Sequence, residues 1–316
     1  MSILIAAHNA TGHLGETLDS IVAQSNVDWE AIVADDASTD QTFALAAGHH
    51  PQIRAVRSER NLGVAGARNL ALAQARGELI ALLDHDDLWL PEYLDHQLAC
   101  YDAALARGEN VGIVSCDAYE LGQEGRRPRT YSERAGWVDE VTLTSLLRRN
   151  TIFASAIAPR AVVEQMGGFS TDCNGTDDFD LWLRIVESGR TVVAAREPLA
   201  VYRVHDAATS ADVAGMARAI QAAYARALDR GALNWRQRLI ARRELRLQQF
   251  VETWEAIASS RGLTGSVPAR SIVRAVPLGA RVIFERPQRW AHWLRIAISI
   301  ARGAPAAGVD RSRLPS

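Results

Sequence analysis

Carboxylates in this chain recur directly after short apolar runs, the pattern left where a strand ends and delivers polar residues to one edge of a sheet. Leu79-Ile80-Ala81-Leu82-Leu83 runs into Asp84-His85-Asp86-Asp87. At least two carboxylates are thereby held close together, and like charges so placed repel unless something positive sits between them. A divalent cation with hard oxygen ligands and open positions, Mg2+ or Mn2+ bridging a diphosphate, meets that need. The plainer alternative is a helix start, with Asp86 or Asp87 capping a helix that begins near Pro91. Asp35-Asp36-Ala37-Ser38-Thr39-Asp40-Gln41 closes the apolar Ala31-Ile32-Val33-Ala34 in the same way. Ser38 and Gln41 spell a capping box. The two aspartates before it are left for another task, and a carboxylate there can accept the imide N–H of a uracil or thymine ring.

Further charge arrives on helical segments. Asn61-Leu62-Gly63-Val64-Ala65-Gly66-Ala67-Arg68-Asn69 opens with glycines and carries a guanidinium able to reach a phosphate or a carboxylate of the Asp84 cluster. The glycine spacing is not that of a dinucleotide site, and a tight helix entry is the alternative. Downstream, Phe179, Trp182, Leu183 and Val186 recur at helical spacing, which predicts an amphipathic helix over 177–189 ending at Gly189. Its first turn carries Asp177, Asp178 and Asp180, where the helix dipole favours negative charge. Three acids in four positions exceed what capping requires, and a carboxylate fixed at a helix start suits a general base. Tyr202-Arg203-Val204-His205 follows the last strand, and His205 is either structural or a metal ligand.

The elements that must hold these groups are read from periodicity. Ile3-Leu4-Ile5-Ala6-Ala7, Ala31-Ile32-Val33-Ala34, Ile53-Arg54-Ala55-Val56 and the run ending at Leu83 read as strands, with helical stretches between them such as Leu14, Leu18, Ile21 and Val22. Alternating β and α elements predict a mostly parallel sheet with helices on both faces. His8-Asn9, Asp35-Asp36 and the Asp84 cluster then fall at strand carboxyl ends, where open α/β sheets hold their ligands. Beyond residue 110 the pattern is mixed, with strands at Ile113-Val114-Ser115-Cys116 and Thr191-Val192-Val193-Ala194 and a loop at Arg126-Arg127-Pro128-Arg129. From residue 211 the chain reads as helical, with one apolar stripe through Leu247, Phe250, Val251, Trp254 and Ile257 and another through Trp290, Trp293, Leu294, Ala297 and Ala301.

Composition bounds the chemistry. The 316 residues are 48% hydrophobic and 23% charged, as expected for a globular chain of two domains or of one domain with an extension. All 35 basic residues are arginine. With no lysine, a Walker-type phosphate loop, a pyridoxal Schiff base and a protein-kinase strand lysine are all excluded. Cys100, Cys116 and Cys173 match neither a zinc pattern nor a disulfide framework, so a reducing, cytoplasmic setting is expected. The N-terminus lacks a signal peptide's basic start, and no apolar run reaches membrane-spanning length. Charge is unevenly distributed: residues 1–213 hold 17 arginines against 31 acids, and residues 214–316 hold 18 arginines against 6 acids. Two functional regions are expected, 1–210 and 211–316.

Taken in order, Asp35-Asp36-x-Ser-Thr-Asp, Asn-x-Gly-x-x-x-Ala-Arg-Asn, Leu-Leu-Asp-x-Asp-Asp, Asp177-Asp178-x-Asp-Leu-Trp-Leu-Arg and Tyr-Arg-x-His resemble the family 2 glycosyltransferases with the GT-A fold. The resemblance covers roughly residues 1–210. It implies a nucleotide-diphosphate sugar donor, a UDP-sugar by default, and transfer with inversion to a hydroxyl of a glycan or lipid-linked saccharide. By the resemblance Asp36 would bind the base with Asp35 beside it, and Ala6, His8 and Asn9 would line the same crevice. Arg68 would lie near it, Asp84 would face ribose or metal, and Asp86 would ligate Mn2+ or Mg2+. His205 would contact metal or diphosphate, and Asp178, with Asp177 as its neighbour in the acidic pair, would be the general base. Two departures stand out. Ala6-Ala7-His8-Asn9 replaces the family's Pro-x-Tyr-Asn, which exchanges a phenol for an imidazole, and Asp177 replaces a glutamate.

Other readings remain beside this one. A sugar nucleotidyltransferase would bring a basic Gly-rich loop and a lysine, which this chain lacks; a non-catalytic nucleotide-sugar or carbohydrate-binding module would keep the fold alone. The basic region with Trp235, Trp254, Trp290 and Trp293 suits peripheral contact with the inner face of a membrane. Equally, it can dock on the acidic region or form a homodimer contact. No nucleic-acid partner is expected.

Overall fold

The computed structural model describes residues 1–136, 138, 140–205 and 211–264, with the backbone alone for 257–264. The first half alternates as expected: β1 (Ser2–Ala7), α1 (Leu14–Val22), β2 (Glu30–Asp35), α2 (Thr42–His49), β3 (Ile53–Arg57), α3 (Gly63–Leu72) and β4 (Leu79–Leu82). A short β5 (Leu88–Trp89) and α4 (Tyr93–Ala106) lead into a long hairpin, β6 (Val111–Gly122) and β7 (Gly125–Thr130). Then come α5 (Tyr131–Ala135), α6 (Leu143–Arg148), β8 (Ile157–Pro159), α7 (Arg160–Gln165), α8 (Asp177–Glu187) and β9 (Thr191–Arg203). Two helices follow, α9 (Val213–Asp229) and α10 (Trp235–Thr264).

One nine-stranded sheet runs β3-β2-β1-β4-β8-β6-β9-β5, with β7 paired to β6. Strands β1 to β4 are parallel. The second half is mixed, since β8 is antiparallel to β4 and β6 while β6 and β9 run parallel. The period of two along each strand separates two cores. Leu4, Ala6, Ile32, Ala34 and Leu82 face α3, α8 and α9, whereas Ile3, Ile5, Ala31, Val33 and Ala81 face α1, α2 and α4. All six β1 residues are buried, which explains its unbroken apolar run. Because β2 and β4 flank β1, the chain changes direction of travel across the sheet there and opens a crevice at the three strand ends.

The basic region is docked, at least as far as it is described. Ala223, Tyr224 and Ala227 of α9 share a core with Phe179 and Trp182 of α8, and Ala241 of α10 joins them. Arg226 and Arg230 also pair with Asp172, Asp180 and Glu187. In the predicted stripe Leu247 and Phe250 are buried and Trp254 stacks on Phe250. The second stripe, with Trp290 and Trp293, lies outside the described residues.

Three local expectations are corrected. Arg126-Arg127-Pro128-Arg129 is strand β7 rather than a loop; as an outer partner of β6 it tolerates Pro128, whose missing N–H would break a central ladder. Ser38 caps nothing, because α2 starts at Thr42 and the Ser38 hydroxyl accepts the Asn9 N–H at 2.9 Å. Asp86 and Asp87 are not caps either, since α4 starts at Tyr93 and the Asp87 carboxylate accepts the Arg203 N–H at 2.9 Å.

Candidate active site

At the ends of β1 and β2 the two connecting loops are laced together. The Asn9 side-chain oxygen accepts from the Thr39 N–H at 2.8 Å, and the Thr42 hydroxyl accepts from the Ala10 N–H at 2.7 Å. Asn9 and Ala37 both take positive φ, 49° and 55°. Such backbone is uncommon away from glycine and is concentrated at functional turns. His8 Nδ1 lies 2.7 Å from the Asp36 carbonyl, which can only accept, so Nδ1 carries the proton. Nε2 then accepts from Asn9 Nδ2 at 3.2 Å. The His8 ring is exposed at the mouth of the crevice, whereas the Ala6 methyl is buried in the core beneath it.

Asp35 and Asp36 are both buried, and they differ in partners. Asp35 pairs with Arg57 at 3.1 Å. Asp36 holds the entry to α3: its carboxylate accepts from Ser58 Oγ at 3.0 Å, the Leu62 N–H at 2.7 Å and the Gly63 N–H at 2.8 Å. The Oδ2 atom of Asp36, with one donor, keeps a second lone pair for a ligand N–H.

Arg68 joins the strand-end acids to those of α8. Buried beneath the crevice, it donates from Nη2 to Asp84 at 2.6 Å and from Nη1 to Asp177 at 2.9 Å. Burial works against its charge, but Asp177, Asp84 and Asp178 together raise its already high pKa further. Asp177 has no solvent exposure at all, and its Oδ1 is buried without a hydrogen-bond partner. Asp178, next along the first turn, is only partly covered. Burial pushes its carboxyl up to about 6, with Asp177 and Asp84 adding to the shift and Arg68 opposing it. A carboxylate at that value is largely ionised at neutral pH and more basic than an exposed one, as a general base requires.

The expected metal ligands divide into two sets. Asp86 Oδ2 and His205 Nε2 meet at 2.9 Å, while Asp84 is engaged by Arg68. Among the described residues no three His, Cys, Asp or Glu side chains gather as a cage. One carboxylate and one imidazole suit Mn2+ if phosphate oxygens and water complete its shell. Three residues beside them were not singled out by sequence. Arg203 pairs with Glu16 and lies 2.8 Å from His13 Nδ1, and His13 packs against His205 with ring centroids 5.0 Å apart. Arg203 sits inside Tyr-Arg-x-His, so that motif held the missed signal; no pattern marked His13 or Glu16. On the side of Asp178, Tyr131, Phe153 and Tyr202 form an aromatic group, with Phe153 centred 5.1 Å from Tyr131 and 6.0 Å from Tyr202.

Comparison with known proteins bears on the family and the fold. The family model for glycosyl transferase family 2 matches residues 2–151. The succinoglycan biosynthesis protein ExoO of Rhizobium meliloti is 34% identical over 157 residues, 49% of this chain and 44% of that protein. This chain therefore spans less than half of ExoO. The putative teichuronic acid biosynthesis glycosyltransferase TuaG of Bacillus subtilis is 30% identical over 208 residues, 65% of this chain and 79% of that protein. Among solved structures, S. aureus TarS 1–349 in complex with UDP-GlcNAc superposes with a TM-score of 0.65 at 17% identity, covering 89% of this chain and 80% of the other. The mannosyltransferase PcManGT from Pyrobaculum calidifontis, in complex with GDP-Man and Mn2+, gives 0.60 at 24% identity, covering 94% and 86%. Those two likenesses establish the GT-A architecture, and with TuaG matched over most of its length the chain belongs to glycosyl transferase family 2.

Proposed function

We propose that the protein moves a sugar from a nucleoside-diphosphate sugar, by default a UDP-sugar, to a hydroxyl of a glycan or lipid-linked saccharide, with inversion. The observation that carries this reading is Arg68, whose one buried guanidinium ties Asp84 at a strand end to Asp177 at the start of α8. Donor-side and acceptor-side carboxylates would thereby be held in fixed relation to one another. His8, Asn9, Asp35 and Asp36 would form the base end, with Asp36 accepting the imide N–H and the His8 ring offering a stacking face. Asp86 and His205, with Asp84 nearby, would hold Mn2+ or Mg2+, which when bound supplies positive charge to the departing diphosphate. Asp178 would take the proton from the acceptor hydroxyl as its oxygen attacks the anomeric carbon opposite the leaving group. A single displacement inverts that centre.

Thermal shift against nucleoside diphosphates and nucleotide sugars, with and without Mn2+, tests the donor half, because a ligand that binds only the folded state raises Tm. A metal-dependent rise for one nucleotide sugar, lost in Asp86→Ala, is the expected result. Binding with no nucleoside diphosphate released on any acceptor would instead favour a non-catalytic binding module. For the basic region we propose contact with an anionic membrane surface bearing the acceptor. Exposed Trp235 and Leu239 on α10 support that reading.

A further inference from the structure

The turn that carries Asp178 is not held by a cap of its own. Thr176 stands at the N-cap of α8 and makes no side-chain cap bond. Among the described residues, Asp178 Oδ1 accepts from the next N–H along the chain, that of Phe179, at 2.7 Å. The turn is instead pinned by the two acids on either side of Asp178. Arg68 holds Asp177 from α3, as described, and Asp180 is held from the opposite direction. Asp180 has no solvent exposure, and three arginines converge on it: Arg184 at 2.8 Å from its own helix, Arg226 at 3.3 Å and Arg230 at 3.4 Å from α9. Arg226 continues to Asp172 at 2.9 Å and Arg230 to Glu187 at 2.5 Å. The α9 arginines thus grip α8 at its start, at its end and at the segment just before it.

We propose that Arg226 and Arg230 are positioning residues for the acceptor-activating carboxylate, so that the basic helical region sets the placement of Asp178 as well as packing against the catalytic sheet. The inference rests on Asp178 being the base. A helix start without a cap frays readily, and its first turn decides where the carboxylate oxygens of Asp178 point. Losing one of the three arginines leaves Asp180 paired but less tightly directed. A shift of the first turn of about 1 Å is enough to lower a rate ~100-fold.

The test uses the full chain. Arg226→Gln, Arg230→Gln and the double variant are compared with Arg218→Gln, which removes an equal charge from the same helix at an exposed pair with Glu252, 3.7 Å apart. Variants are assayed below their melting temperatures, with UDP-induced thermal shift reporting the donor site. The expected result is a kcat ~10-fold to ~100-fold lower in the double variant, with donor KM and UDP shift retained, Arg218→Gln unchanged and Arg230→Lys partly rescued. The pH profile discriminates further. The groups around Asp178 are Arg68, Asp177, Asp84 and Tyr131, and burial is the largest cause of its raised value. A loosened turn admits water, so the acidic limb moves down from about 6 toward the ordinary carboxylate range. A lower Tm with kcat and acidic limb unchanged would overturn the proposal. A wild-type profile without an acidic limb, or full activity in Asp178→Asn, would instead sink the base assignment beneath it.

Discussion

Arg68 and Asp178 are the residues through which charge decides this site. Asp178 must be ionised to accept a proton, so transfer is expected to rise with pH through about 6 and to flatten above it. Asp178→Asn is expected to lower kcat at least ~100-fold while donor binding by thermal shift is kept, since general-base catalysis contributes about that much or more. Arg68→Met should act differently. It leaves the carboxylates of Asp177 and Asp84 without their shared cation, and removing one partner of a buried pair costs about 3–5 kcal/mol. The remaining active fraction should show its acidic limb above about 6, because the charge that opposes the shift is gone. A limb that stayed in place would mean that Arg68 does not act on Asp178. The sequence allowed Arg68 either a phosphate or a carboxylate of the Asp84 cluster. It did not show which pairs with which, because Arg68 reaches partners 16 and 109 residues away and only the folded sheet decides that.

The elements were most readable where burial imposes a period. Strands β1 to β4 and the apolar face of α8 are buried on set faces, so their patterns survive in sequence. Strand β7 was not readable, because it lies outside the main strand path, is nowhere fully buried, and sets Arg126 beside Arg127 with no apolar period of two. The glycine-led entry to α3 was legible as a tight turn, but its purpose was not. Gly63 sits at φ +75°, its N–H donates to Asp36 at 2.8 Å, and a Cβ there would come within 2.4 Å of the Asn174 side chain. Gly63→Ala is therefore expected to cost about 1–2 kcal/mol from the left-handed backbone alone. Displacing Asn174 adds to this, because its Oδ1 accepts from the Ala65 N–H at 3.1 Å. Urea denaturation measures the loss, and a variant as stable as the parent would show that the entry can re-form without Asp36. UDP binding should weaken with it, since Asp36 would lose the contacts that orient it.

At the scale of the whole molecule the uneven charge has two outlets. One is internal: Arg226 and Arg230 of α9 answer Asp172, Asp180 and Glu187 on the acidic part, which is the docking that the composition made one of three readings. The other faces outward. Trp235 and Leu239 lie four residues apart on α10 and are 70% and 59% exposed, with Arg236 and Arg242 exposed beside them. The opposite side of the helix, through Ala241 and Leu247, is buried. Among the described residues no helix is long and apolar enough to cross a membrane. The exposed face of α10 is the part proposed to meet lipid. Each arginine near an anionic surface contributes about 1 kcal/mol, screened by salt, and tryptophan favours the interface. The full-length protein should therefore co-sediment with vesicles of phosphatidylglycerol and phosphatidylcholine and not with phosphatidylcholine alone. Retention should fall on raising salt and in the double variant Trp235→Ala with Leu239→Ser. Failure to sediment with the anionic vesicles at physiological salt would remove the membrane reading. If sedimentation equilibrium then showed dimers of the parent and monomers of the double variant, the same face would be a contact between two copies of the chain.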